Sequence, residues 1–187
     1  MSNNIYLVRS GESVVRANDR ERQLSSRALD RLNSLSKRIT ETPPEIVFHS
    51  DTKRAEHTAE LLWPTVKKCV VSGLYTPIEQ NLFTDAKTFL ETNNAEAIRS
   101  VWAQVHQKTE TEKAVTNLYN LCYKTTEQII EQTVRVTCFA IVGHEVIINL
   151  VGHFLANVKI NKESLLNARF ENGEVRLIKT EEVLILS

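Results

Sequence analysis

Strands that alternate with helices predict an α/β fold, a three-layer sandwich with a largely parallel central sheet. Two observations carry that prediction. Short apolar runs at Ile5 to Val8, Ile46 to Phe48 and Val136 to Val142 lack polar alternation, as strands buried on both faces do. Between them lie stretches with apolar residues three and four apart, the pattern of one helical face.

The elements follow in order. Ile5 to Val8 gives way to polar Arg9-Ser10-Gly11-Glu12, where Gly11 marks a turn. Leu24, Ala28, Leu32, Leu35 and Ile39 fall on one face of a helix that Ser25 can cap and Pro43-Pro44 stops. Ile46 to Phe48 is the second strand. Asp51 is placed to cap the next helix, which runs to Trp63 and ends at Pro64. Cys69 to Val71 reads as a third strand. Asp85 to Leu90 and Ala95 to Val105 read as short helices. Glu112 to Gln132 reads as a longer one, with Ala114, Leu118, Leu121, Cys122 and Ile129 on one side.

Val136 to Val142 is the most hydrophobic strand and ends at Gly143-His144. The helix after it carries Val146, Ile147, Leu150, Val151 and Leu155. Asn172-Gly173, between Ala168 to Phe170 and Val175 to Ile178, signals a hairpin. Val183 to Leu186 adds a last edge strand. No repeat, linker or low-complexity segment interrupts the pattern, and 187 residues suit one domain spanning 1–187.

Lys+Arg and Asp+Glu both total 23, so no basic excess points to nucleic acid. Cys69, Cys122 and Cys138 are odd in number and lack CxxC spacing, which suits reduced thiols better than disulfides or zinc. The start, Met-Ser-Asn-Asn-Ile-Tyr, is too polar for a signal peptide, and no apolar run approaches the roughly 20 residues of a membrane span. These features predict a cytoplasmic protein with neither nucleic-acid nor membrane partners. His49, His57, His106 and His153 lack paired metal spacing, and no metal or cofactor is expected.

Ligands of such folds bind beyond the carboxyl ends of the strands. Three strands here end in groups that suit an anion: Arg9-Ser10-Gly11-Glu12, His49-Ser50-Asp51 with Arg54 one turn on, and Gly143-His144-Glu145. Arginine forks and free N–H groups at helix starts favour phosphate. Each residue also has a plainer role. Arg54 could pair with Glu12 or Asp51, and His144 could be a satisfied core histidine.

The same three segments, in this order, resemble the signatures of the histidine phosphatase superfamily, the phosphoglycerate mutase-like proteins. Leu7-Val8-Arg9-Ser10-Gly11-Glu12-Ser13 resembles its first motif, with serine in place of the usual histidine. Val47 to Ala59 resembles the second and Ile141 to Ile147 the third. The small size is similar to the phosphohistidine-phosphatase-type branch. The resemblance covers residues 4–158 and implies a phosphorylated small molecule or phosphoprotein as partner. It also implies that Arg9 and Arg54 hold phosphoryl oxygens and that His144 donates to the phosphoryl group. Glu79 falls at the position implied for the proton donor, with Asp85 as its rival. Arg16 stands where the mutases keep a phosphate-contacting asparagine, either as a third cation or facing water.

The resemblance implies an imidazole nucleophile at position 10. Ser10 offers a hydroxyl that is almost never ionised at neutral pH and needs an adjacent base. The sequence therefore leaves three readings open. One is a phosphoryl-binding protein whose phosphatase activity is reduced or lost. The second is a phosphatase of phosphomonoesters or phosphohistidine, active with histidine at position 10 and inactivated by a serine introduced there. The third is an interaction module in which the pocket is a relic.

Overall fold

The computed structural model describes residues 3–14, 18–39, 42–75, 109–156, 170 and 172–180. The chain divides into two compact units, one of Met1–Tyr75 with Cys122–Ser187 and one of Thr76–Leu121. In the first unit five strands form one sheet: β1 (Asn3–Arg9), β2 (Ile46–His49), β3 (Lys67–Val70), β4 (Cys138–Gly143) and β5 (Val175–Thr180). Their spatial order is β3-β2-β4-β1-β5. β1, β2, β3 and β4 run parallel, and β5 lies antiparallel to β1. The expected α/β architecture with a mostly parallel sheet is therefore present. Four α-helices are described: α1 (Ser26–Ser36), α2 (Lys53–Leu62), α3 (Thr109–Thr133) and α4 (Glu145–Leu155).

Every residue of β2 and β4 is buried, which is why neither strand shows alternation in sequence. Successive side chains still point to opposite faces. Tyr6, Val8, Val47, Ala140 and Val142 pack with Leu24, Ala28, Leu32, Ala55, Ala59, Leu62 and Trp63 of the α1–α2 side. Leu32 is fully buried there, a burial worth about 1.5–3 kcal/mol. On the other face α4 packs on β1 and β4, and Phe48 meets Phe139 edge-to-face at 6.1 Å. Among the described residues no helix is long and apolar enough to cross a membrane.

Local chemistry explains most element ends. The Ser25 hydroxyl accepts from Ala28 N, as the cap expectation required. The helix it starts stops at Ser36, before Ile39. Arg38 N and Ile39 N both turn back to Leu35 O, closing the helix ahead of the prolines. Asp51 does not cap α2. Thr52 holds the N-cap position with its hydroxyl on Ser50 Oγ, and the Asp51 carboxylate pairs instead with Arg20 at 3.0 Å.

The third strand begins earlier than its apolar residues suggest, at Lys67, because an edge strand needs only one covered side. Val71 N still donates to His49 O at 2.8 Å, and the chain then turns into a 3-10 helix at Ser72–Leu74. The Asn172-Gly173 turn is present, with Gly173 at φ 72°, a conformation that favours glycine. β5 pairs with β1, and Phe170 is not in a strand; Ala168 and Arg169, the rest of the strand expected before the turn, lie outside the described residues. The helices expected over 85–105 and the strand over 183–186 lie outside the described residues.

Candidate functional site

The parallel register gathers the three polar strand ends. Arg9 lies opposite Gly143, and His49 opposite Val142. One step further, Ser10 N donates to Gly143 O at 2.9 Å and Ser50 N to Val142 O at 3.1 Å. The backbone thus fixes Ser10, Ser50 and His144 around the end of β4. Gly11 follows Ser10 where a Cβ would meet Leu24 Cδ2 at 2.8 Å and Leu32 Cδ1 at 3.1 Å. Its N–H donates to Thr58 Oγ1 at 3.0 Å, and Thr58 Oγ1 donates to Arg54 O at 2.6 Å. The turn after β1 is thereby tied to α2, one helical turn from Arg54.

Arg54 is 7% exposed, and its guanidinium organises the centre of the cluster. Nη1 donates to the Asp19 carbonyl at 2.9 Å, and Nη2 donates to Asp19 Oδ2 at 2.9 Å. The same Nη2 lies 3.2 Å from both ring nitrogens of His144. Arg54 therefore pairs with neither Glu12 nor Asp51. Glu12 accepts from Ser25 Oγ at 3.1 Å, and Asp51 holds Arg20. The ring of Tyr75 packs on His144 with centroids 4.8 Å apart, and Arg20 sits 5.4 Å from the Tyr75 centroid. Arg22 Nε lies 3.0 Å from Asp19 Oδ1. Arg9 Nη1 donates to Phe170 O at 2.5 Å.

These neighbours set the protonation states. Burial pushes His144 down to about 3, helped by the Arg54 and Arg9 charges and opposed by Asp19. The ring is neutral at neutral pH, so one nitrogen donates and the other accepts. Burial acts to raise Asp19, but hydrogen bonds from Arg54 and Tyr75 and the charges of Arg54 and Arg22 hold it below the usual carboxylate value. Tyr75 moves up, through burial and through the carboxylate its hydroxyl serves.

Arg9, Ser10, Arg54 and His144 are therefore brought to one place, the first two by consecutive positions and the others by register. Ser10 is 4% exposed. Glu79, its rival Asp85 and Arg16 lie outside the described residues. His49 is buried with Nδ1 on Ser50 O at 2.9 Å, and His153 Nδ1 lies 2.6 Å from Asn149 O, both satisfied locally. Among the described residues no three His, Cys, Asp or Glu side chains group to hold a metal ion. Sequence reading missed Asp19, Arg20, Arg22 and Tyr75. The run Asn18-Asp19-Arg20-Glu21-Arg22 carried a signal in its dense charge just before the Leu24-Ser25 helix start.

Comparison with known proteins now places the chain. Residues 5–183 match the histidine phosphatase superfamily (branch 1), and the chain belongs to that family. No curated protein matches it in sequence. Three solved structures are similar in fold. Alpha-ribazole phosphatase from Shigella flexneri is 16% identical, with 97% of this chain and 95% of that one covered and a TM-score of 0.64. Phosphoglycerate mutase from Bacillus anthracis is 15% identical, with coverage of 98% and 92% and a TM-score of 0.64. A protein assigned as the phosphohistidine phosphatase SixA from Agrobacterium tumefaciens is 11% identical, with coverage of 96% and 92% and a TM-score of 0.58. At these identities the likeness concerns the fold alone.

Proposed function

We propose that this chain is a single histidine phosphatase-like domain that binds the phosphoryl group of a small phosphoester or phosphoprotein. On this reading Arg9, Arg54 and His144 hold the phosphoryl group, with Arg16 as a third cation and Glu79 as proton donor. Phosphomonoester hydrolysis is reduced or lost because Ser10 stands at the nucleophile position. The observation that carries the reading is the arrangement of Arg54. Its fork already grips a carboxylate oxygen at 2.9 Å beside a neutral imidazole at 3.2 Å. Two terminal N–H groups in one plane match two phosphoryl oxygens equally well.

The state of His144 supports the loss of turnover. A serine nucleophile needs a base with a pKa near the working pH. His144, at the neighbouring strand end, is the candidate base, and at about 3 it is a poor proton acceptor at neutral pH. It is better suited to donate one N–H to a phosphoryl oxygen, the electrostatic part of catalysis.

The test has two parts. Inorganic phosphate or vanadate at millimolar concentration should raise the melting temperature of the unaltered chain and not that of Arg54→Ala, since a ligand binding only the native state stabilises it. Hydrolysis of an aryl phosphate should be slow in the unaltered chain and faster in Ser10→His by on the order of a hundredfold, or about 2.7 kcal/mol of barrier. Equal rates would refute the argument from Ser10. A chain that no phosphate analogue stabilises would leave the relic interaction module as the better reading.

A further inference from the structure

The anion on Arg54 is supplied by the chain itself, and the segment that supplies it is unusual in how it is held. Asp19 opens a 3-10 turn, Asp19–Glu21, capped by the Asn18 side chain on Arg20 N at 3.1 Å. Its flanks are clamped. Ser13 bridges Leu24, Val14 N donates to Gln23 O at 2.9 Å, and Ser25 N donates to Glu12 O at 2.9 Å. The turn itself buries no residue. Across the site its side chains make polar contacts: Asp19 with Arg54 at 2.9 Å, Arg20 with Asp51 at 3.0 Å, and Arg20 over Tyr75. Two ion pairs of opposite sense thus latch the turn to the start of α2. A segment held without apolar burial belongs to the low-stability end of a fold.

The latched arrangement is also incompletely satisfied. Among the described residues two buried side-chain atoms lack a hydrogen-bond partner, Arg22 Nε and Asp51 Oδ1. Both belong to this cluster. Arg22 Nε is within ion-pair distance of Asp19 Oδ1, yet its N–H is not aligned on that oxygen. Native proteins rarely leave such atoms unpaired. Arg22 thus stands as a second partner for the Asp19 carboxylate once Arg54 is taken by another anion.

From this geometry we propose that Asp19 is an internal competitor for the anion seat of Arg54, so that the Asp19–Glu21 turn must release Arg54 before a phosphoryl group can occupy it. The proposal rests on the phosphoryl-binding reading above. It makes Asp19 and its latch the determinants of affinity, because the apparent dissociation constant rises as the seat is open for a smaller fraction of the time. On release Asp19 passes to Arg22, and the displaced carboxylate keeps a cation.

The experiment titrates inorganic phosphate by calorimetry into the full chain and into Asp19→Asn, Arg20→Gln and Arg54→Ala. Asp19→Asn should bind about tenfold tighter than the unaltered chain, as expected when a seat open a tenth of the time becomes fully available. Arg20→Gln breaks only the second ion pair and should bind about threefold tighter on the same relation. That variant is decisive, because it removes a positive charge from the rim and net charge alone would make it bind phosphate more weakly. In the unaltered chain, saturating phosphate should speed amide exchange over residues 18–22.

Asp19→Asn binding no tighter overturns the proposal. Arg20→Gln binding more weakly overturns it too, since the gain in Asp19→Asn would then be charge alone. Either result leaves the phosphoryl reading standing while Arg54→Ala abolishes binding. If no version of the chain binds phosphate, both readings fall together. Should Asp19→Asn not fold, Arg20→Gln and the exchange measurement carry the test.

Discussion

Replacing His144 by glutamine keeps a neutral polar side chain at the end of β4 but removes its titration. The folded chain holds His144 at about 3, against an ordinary 6.5. A depressed histidine means that the unfolded state takes the proton first, so stability rises with pH between those two values. Equivalently, stability is full above the unfolded value and is lost as pH falls below it, until the folded value is reached. Moving from about pH 7 to about pH 5 should cost ~2 kcal/mol from this one group, nearly one proton at 1.36 kcal/mol per unit. For a chain of this size that is a fall of roughly 4–8 °C in melting temperature.

The assay is thermal or urea unfolding of both proteins across that pH range in phosphate-free buffer. Taking the difference between the curves cancels the other titrating groups. Asp19, Arg54, Arg9 and Tyr75 face the imidazole or its partners and remain in both proteins. The unaltered chain should lose stability more steeply than His144→Gln as pH falls. Parallel curves would refute the reasoning, because His144 would then be titrating in the fold as it does in the unfolded chain.

Three further outcomes follow from the packing and chemistry around the site. Gly11→Ala puts a methyl 2.8 Å from Leu24 Cδ2, so it should cost about 1–3 kcal/mol by overpacking, read as a lower denaturation midpoint at unchanged slope. Arg54→Ala strips two donors from Asp19, and an acid titration of stability should then show the Asp19 contribution, present above the unfolded carboxylate value and lost as pH falls through the folded one, reduced relative to the unaltered chain. Cys122 is fully buried and burial pushes its thiol up to about 12, so a thiol reagent should reach partly exposed Cys69 in the native state and Cys122 only on unfolding.

Much of the site was legible because its parts are local. Arg9 and Ser10 follow an unbroken apolar run, and His144 follows another, so each had to emerge at a strand end. Ser25 capped its helix as read, since a cap is decided within four residues. Asp51 failed as a cap for the converse reason. Its carboxylate had two local uses open to it, and the choice fell to Arg20, 31 positions earlier and on another segment. The plainer role open to Arg54 beside phosphate binding was a pair with Glu12 or Asp51; its partner is Asp19, which no spacing rule connects to it.

The sequence by itself determined the α/β class, the buried strands and the residues that end them, because period, apolar runs and turn chemistry act over a few positions. Tertiary structure decided which of those ends meet. Register set Arg9 opposite Gly143 and His49 opposite Val142, and so brought the Ser10 turn, α2 and His144 to one place. It also decided what fills that place. The carboxylate of Asp19 lies on Arg54 because a clamped loop returns over the strand ends, and long-range electrostatics of that kind leave no periodicity to read.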